Sequence, residues 1–365
     1  MGYRALVGWI LAVAFAAALA AGAVARPVVV RGFAYNYVAG PLVEMRLLDT
    51  AGGVSHILPG GPGIDPALSP DGSRVIFVRL HPAQRISDID VLSLRSGTVR
   101  TLCAWPAIAL GPRWSPDQRH IAFYSISGGP APHSTLEVMD ASGANARAIG
   151  QFPACVPRWS PDGGRLACIV TDTGGDTGGI GVIDLRTNRV TMVHRAAANA
   201  LNVVWMPDGK HLVFLQADGQ NSQAWLVRDD GSDLVQLTST PTVKTGLEVS
   251  GDGRRVYLSE ASQASHSSRL YALDLATHQE RSLLADTRGN FLMDNGMLLF
   301  FLLGSSSSQQ TPPSSPPSSS PSSTRQESGR TGCADQRAGG SEAGRSTMNW
   351  MPRDPASPSR DSANP

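Results

Sequence analysis

The chain has 365 residues, with 31 Lys+Arg against 30 Asp+Glu, and carries 38 Gly and 26 Pro. That near-even charge balance excludes the electrostatic footprint of a nucleic-acid binder. The density of turn formers excludes a long helical bundle and suits many short strands joined by tight turns.

At the N-terminus, Arg4 precedes a run from Ala5 to Ala25 that holds no charged residue. This reads as a signal peptide, because Ala21-Gly22-Ala23 and Ala23-Val24-Ala25 place small residues where a signal peptidase cuts. The run is also long enough to span a bilayer as an uncleaved anchor. Both readings carry the rest of the chain out of the cytoplasm, given the cationic start. The expected location is therefore periplasmic, secreted, or membrane-anchored and facing outward. The segment Val28–Tyr37 reads as a strand to which the repeat described next assigns no place.

Five segments then align without gaps: Pro66-Ala-Leu-Ser-Pro-Asp-Gly, Pro112-Arg-Trp-Ser-Pro-Asp-Gln, Pro157-Arg-Trp-Ser-Pro-Asp-Gly, Val203-Val-Trp-Met-Pro-Asp-Gly and Leu247-Glu-Val-Ser-Gly-Asp-Gly. Their aspartates, Asp71, Asp117, Asp162, Asp208 and Asp252, are spaced by 46, 45, 46 and 44 residues. A degraded copy at Leu292-Met-Asp-Asn-Gly follows at nearly the same step. Proline presets φ at the first turn position, Asp caps local amides, and Gly accepts positive φ, so each copy is a hairpin turn. Each is followed by a short apolar strand such as Val75-Ile-Phe-Val or Leu212-Val-Phe-Leu.

A second periodic mark lies between the turns, where strands end at Asp49, Ser93, Asp140, Asp184, Asp229 and Asp274, each followed by another short strand. Four strands per repeat, a to d, make one propeller blade. The chain starts with a c–d pair near Glu44–Leu58 and ends with an a–b pair at Phe291–Leu303. The expected fold is thus all-β: a six-bladed β-propeller of four-stranded blades over residues 26–303, closed by pairing of the N-terminal and C-terminal half-blades. Beyond it, residues 304–365 contain no Leu, Ile, Val, Phe or Tyr. Such a Ser/Pro-rich tail lacks the apolar surface to offset its ordering entropy and is expected to be disordered.

The Ser-Pro-Asp-Gly hairpins, with strands ending in Asp as at Val138-Met-Asp and Val182-Ile-Asp, resemble the TolB-like β-propeller family over roughly Glu44 to Leu303. The resemblance implies a periplasmic propeller that binds a protein partner. TolB proteins also carry an α/β domain ahead of the propeller, and there is no room for one between Ala25 and Glu44. The chain therefore looks like a stand-alone propeller, and the specific TolB partner does not carry over. The repeat also resembles the propeller of prolyl-oligopeptidase-type peptidases, but the G-x-S-x-G elbow of their hydrolase domain is absent.

Candidate functional residues follow from this layout. The turn aspartates Asp71, Asp117, Asp162, Asp208 and Asp252 recur for a turn reason and read as structural. Trp114, Trp159 and Trp205 share one position on the innermost strand and read as packing between blades. Basic residues recur three positions after each turn Asp (Arg74, His120, Arg165, His211 and Arg255) and read as solvated strand entries. Cys155 and Cys168 flank one hairpin and form a possible disulfide, the other reading being small buried hydrophobes. Variable loops on the opposite face are the usual place for binding. Its titratable residues are His81, His133, Asp172, Asp176, Asp218 and His266. These compose no acid/base constellation, and no calcium or zinc motif occurs, so no cofactor is expected. The function these features favour is a non-enzymatic binding platform for a protein or cell-envelope partner. The alternatives are a propeller enzyme of polysaccharide-lyase or lactonase type with a His/Asp site over the central channel, and a membrane-anchored sensor domain.

Overall fold

The computed structural model describes residues 32–39, 42–51, 53–126, 134–152, 156–171, 178–195, 200–262, 267–287 and 289–293. Six four-stranded antiparallel sheets make six blades. Blade 1 combines β1 (Gly32–Ala39), β2 (Leu42–Asp49) and β3 (Val54–Ile57) with the last strand described below. Blade 2 is β4 (Ile64–Leu68), β5 (Arg74–His81), β6 (Ile86–Ser93) and β7 (Val99–Trp105). Blade 3 is β8 (Ile108–Trp114), β9 (His120–Ile126), β10 (Ser134–Asp140) and β11 (Arg147–Gln151). Blade 4 is β12 (Arg158–Trp159), β13 (Arg165–Thr171), β14 (Gly178–Asp184) and β15 (Arg189–Arg195). Blade 5 is β16 (Ala200–Trp205), β17 (His211–Asp218), β18 (Asn221–Arg228) and β19 (Val235–Gln236). Blade 6 is β20 (Val243–Val249), β21 (Arg255–Ser262), β22 (Ser267–Asp274) and β23 (Glu280–Asp286), and β24 (Asn290–Leu292) returns to complete blade 1.

The repeated turn has one geometry. In blade 2, Gly72 N–H donates to the Ser69 carbonyl at 2.8 Å and Ser69 N–H donates to the Arg74 carbonyl at 2.8 Å. Gly72 takes a φ of 70°, the left-handed value that closes such a hairpin; in blade 3 Gln118 holds this conformation at 60°. The core lies between blades rather than within them. One apolar cluster runs through blades 2 to 5. Smaller ones join blade 5 to 6, blade 6 to 1 and blade 1 to 2.

Closure differs from the expected two-plus-two arrangement: three strands come from the N-terminus and one from the C-terminus, in the order β24-β1-β2-β3. The strand that the repeat left unplaced is β1, and it fills position b. β2 is paired on both edges, with β1 and with β3, so it cannot also pair with residues 298–301. Residues 294–303, expected to extend the a–b pair, lie outside the described residues.

The two faces of β1 explain its fitness for the place. Phe33, Tyr35 and Tyr37 point toward blade 6 and β24, with ring centroids 5.3 Å apart for Phe33–Tyr257 and 5.7 Å for Tyr37–Phe291. On the other face, buried Asn36 donates to the Gly63 carbonyl at 2.9 Å and accepts from Asp65 N–H at 3.0 Å. It thereby satisfies blade 2 backbone groups that would otherwise be buried unpaired. The wholly apolar Met297-Leu-Leu-Phe-Phe-Leu-Leu carries no side chain able to do this.

Of the two readings of Cys155 and Cys168, the bridge is not formed and Cys168 is the small buried hydrophobe. Cys168 is a buried thiol on β13, opposite Gly181, whereas Cys103 on β7 is disulfide-bonded. Cys168 points into the packed core, where a small hydrophobe is required. Cys155 lies outside the described residues.

The closure can be tested through its register, in which Val38 lies opposite Asn290. A Val38→Cys/Asn290→Cys pair should crosslink on oxidation, giving a linked peptide by mass spectrometry. Cysteines placed at residues 298–301 and 46–48 should not crosslink; the reverse outcome would restore the two-plus-two closure.

Candidate functional site

On the turn face, the aspartates are held by their own hairpins. Asp71, Asp117 and Asp252 each accept the hydroxyl of the serine two residues before at 2.6 Å, and Asp162 accepts that of Ser160 in the same way. Each of these four also accepts a backbone N–H two residues on. Met206 replaces the serine in blade 5, and Asp208 instead accepts from Lys210 N–H at 2.8 Å and from His211 N–H at 3.0 Å. The serine hydroxyls hold Asp71, Asp117, Asp162 and Asp252 below the usual carboxylate range. At Asp208 partial burial pushes upward, and the backbone donors outweigh it.

Of the basic residues after each turn, Arg255 is exposed as expected, whereas the others engage neighbouring groups. The Arg74 guanidinium lies 4.5 Å over the Trp114 ring of the next blade, and Arg165 lies 4.5 Å over Trp205. His120 stands 6.5 Å from Trp159 in the same relation. Arg165 also donates to the Gly209 carbonyl at 2.9 Å and pairs with Asp229 at 2.8 Å, both in blade 5. Trp159 donates its indole N–H to the Arg113 carbonyl of blade 3 at 3.0 Å. Cation, ring and turn thus form a joint between successive blades. Blade 6 offers Val249 at the tryptophan position, and His211 turns to Asp208 instead, at 2.6 Å.

In the central channel, Arg158 of blade 4 reaches Glu248 of blade 6 at 2.7 Å, passing over blade 5. Asp65, with φ of 52°, accepts Gly111 N–H of blade 3 at 2.9 Å. The buried Arg113 guanidinium donates to the Pro112 carbonyl at 2.9 Å.

On the loop face, His81 Nε2 is 2.8 Å from the Asp88 carboxylate, and Arg79 pairs with fully buried Asp90. Burial pushes the Asp90 carboxyl up, against the pull of Thr101 and Arg79. Blade 6 carries the denser network. The buried Lys244 ammonium donates to Thr240 Oγ1 at 2.6 Å, Thr242 Oγ1 at 2.9 Å and the Thr240 carbonyl at 3.2 Å, and lies 3.6 Å from Glu260. Glu260 in turn pairs with Arg269, and Arg269 with Glu280 at 2.7 Å. Burial draws the Lys244 pKa down, while Glu260 opposes it. Burial also pushes the Glu260 carboxyl upward, but the Thr242 hydroxyl and Arg269 hold it below its usual value.

Of the loop-face candidates, His81 is placed with its partner, and Asp218 ends β17. His133, Asp172, Asp176 and His266 lie outside the described residues. Among the described residues no three His, Cys, Asp or Glu side chains gather as a metal site. Sequence reasoning missed the Lys244–Glu260–Arg269 network and the Arg158–Glu248 link. For the Arg158–Glu248 link the trace was charge at one repeat position, which Arg113, Arg158 and Glu248 share with Ala67 and Val204.

Residues 131–310 match the TolB beta propeller domain family. A curated relative, the uncharacterized peptidase YuxL of Bacillus subtilis (strain 168), is 28% identical over 216 residues, which cover 58% of this chain and 31% of that protein. The chain thus spans about a third of that relative's length. Among solved structures, TolB from Acinetobacter baumannii superposes with a TM-score of 0.63 at 18% identity, covering 72% of this chain and 65% of that one. A putative TolB from Agrobacterium tumefaciens gives 0.58 at 16% identity, covering 71% and 91%. At these identities the structural likeness is one of fold.

Two outcomes follow from the turn face. Trp205→Ala should destabilise by about 3–5 kcal/mol through the emptied inter-blade site, and Arg165→Met by about 1 kcal/mol. Denaturant unfolding of the singles and the double should give a double-mutant coupling above experimental error; additivity would remove the joint. The second outcome is pH dependence. The turn carboxylates have folded pKa values below their unfolded ones, so their stabilisation is complete above about pH 4 and is lost as pH falls through the folded values. Asp162→Asn should flatten the acid limb of a stability–pH curve, read by unfolding midpoints between neutral pH and pH 2; an unchanged limb would contradict the assignment.

Proposed function

We propose that this TolB-like β-propeller is an exported, non-enzymatic binding platform that presents its loop face to a protein or cell-envelope partner. The observation that carries this reading is the state of the ionisable groups around the channel mouth. Lys244 spends its N–H donors on Thr240 and Thr242, Glu260 is shared between Lys244 and Arg269, and Arg158 is tied to Glu248. Groups locked to one another rigidify a surface, whereas acid/base catalysis needs convergent groups within reach of a substrate. A rigid ring bearing variable loops is suited to recognition. Export is supported by the uncharged Ala5–Ala25 run and by the disulfide at Cys103, which belongs to oxidising compartments. Within this reading residues 304–365 are a disordered Ser/Pro-rich spacer outside the propeller.

One observation favours a second reading, an enzyme: the 28% identity to a protein named as a peptidase. The two separate experimentally. Affinity capture from envelope extracts should retain the same partner with the native chain and with residues 304–365 deleted, and lose it when His81 and Asp218 are both changed to Ala. Turnover of peptide, lactone or oligogalacturonate substrates, abolished by His81→Ala, would instead establish the enzyme. Export has its own check: N-terminal sequencing of envelope-fraction protein should begin at Val24 or Arg26, and an intact Met1 in a membrane pellet would support the anchor.

A further inference from the structure

Each blade ends outward in one strand, β3, β7, β11, β15, β19 or β23, which among the described residues is paired on its inner edge alone. Such an edge invites pairing with another chain, and proteins blunt it with bulges, charges or extreme shortness. β7, β11, β15 and β23 each pair with the strand inside them through a register shift. The same strands carry exposed arginines, at Arg100, Arg147, Arg189 and Arg281. β19 has only two residues. β3 has none of these guards. It pairs with β2 from Val54 to Ile57 in unbroken register, and it contains no Asp, Glu, Lys or Arg. Ile57 is 64% exposed and Val54 49%, with His56 exposed between them.

The hydrogen-bond phase of this edge is fixed by its inner partner. Leu58 N–H donates to the Met45 carbonyl at 2.8 Å, one step beyond the Arg46–Ile57 pair. Bonding alternates along an antiparallel strand, so Val54 and His56 also turn their backbone groups to β2, and Ser55 and Ile57 turn theirs outward. That phase makes the edge complementary to itself. About a two-fold axis at His56, Ser55 of one copy faces Ile57 of the other, and each such pair exchanges both N–H···O bonds. A register centred one residue later would set Ser55 against Pro59, which has no N–H to donate. No long exposed side chain stands at either end of the strand: Gly53 precedes it, and Pro59, Gly60 and Gly61 follow. An uncharged edge meets an uncharged copy of itself without stripping water from a cation, which the arginine-bearing edges could not do.

We infer that β3 is a self-association surface, at which two copies of this chain join blade 1 to blade 1 in one continuous antiparallel sheet. His56 lies directly opposite its counterpart, and Ile57 lies diagonal to its own, within reach of it. A four-residue edge is a smaller contact than a stable dimer buries, so the association is weak and depends on concentration. The loop face takes no part in it, and the inference is independent of the binding-platform reading.

Sedimentation velocity of the exported chain, from roughly 1 to 100 μM, reads the association. A monomer–dimer equilibrium is expected, weakened at least tenfold in I57E and in H56E with the unfolding midpoint unchanged, since like charges facing each other across the pair repel. V235E, at a similarly exposed apolar residue on the edge of blade 5, should leave the equilibrium unaltered. His56→Cys should give a disulfide-linked dimer on oxidation, because directly opposed residues of that phase stand about 4.5 Å apart between Cα atoms. Val54→Cys, whose counterpart lies well out of register, should not. A chain that stays monomeric throughout, an equal loss in V235E, or equal crosslinking of Val54→Cys would overturn the proposal. Slow hydrogen exchange at the Ser55 and Ile57 amides of a monomer would overturn it in favour of cover by another segment of the same chain. Partner capture through the loop face is read separately and survives any of these results.

Discussion

A ring of blades is stable only if its last joint is made, and here that joint is the pairing of β24 with β1. Three residues on β24 meet three on β1, and around them an aromatic cluster of Phe33, Tyr35, Tyr37, Tyr257 and Phe291 seals blade 6 to blade 1. The backbones approach as closely as chemistry allows: a Cβ on Gly246 of blade 6 would stand 1.9 Å from the Met293 carbonyl oxygen. Every other inter-blade contact depends on this one, because an open ring would expose an edge of innermost strand and let the apolar clusters part.

With the ring closed, two kinds of device fix each blade against the next. Apolar side chains from facing sheets supply most of the energy by area. The turn face adds directional contacts in which a cation from one blade sits on an indole of the next and donates to that blade's turn. The indole favours this because its face is electron-rich. The same logic operates in the channel, where Arg158 and Glu248 brace blades that are not neighbours.

What could be read from the residues, and what could not, divides along the range of the interactions. The Ser-Pro-Asp-Gly turn is chemistry within four residues, so its period disclosed six blades and four strands in each. The identity of β1 as position b was hidden, because no such turn precedes it and its claim rests on Asn36 reaching backbone of blade 2. For Cys168 the residues left two readings open, a bridge across the hairpin or a small buried hydrophobe, and the packing of the whole sheet decides for the second. At the candidate site, Trp114, Trp159 and Trp205 were recognisable as inter-blade residues from their shared position, while the cations stacked on Trp114 and Trp205 were not, since each comes from a different repeat. Lys244, Glu260 and Arg269 stand on three different strands, and only lateral pairing across blade 6 makes them one network.

The three-plus-one division of blade 1 also sets an order of events in time. During synthesis β1, β2 and β3 emerge first, yet the strand that completes their sheet is the last of the twenty-four among the described residues. Blades 2 to 6 can assemble in sequence as their hairpins appear, but the first blade waits with its inner position vacant until nearly the whole propeller has been made. Closing so long a loop is slow relative to local pairing. A polypeptide cut short before β24 would leave the aromatic face of β1 uncovered, a ready target for proteases and chaperones. Ring closure thus couples the fold of the molecule to the completion of its own propeller.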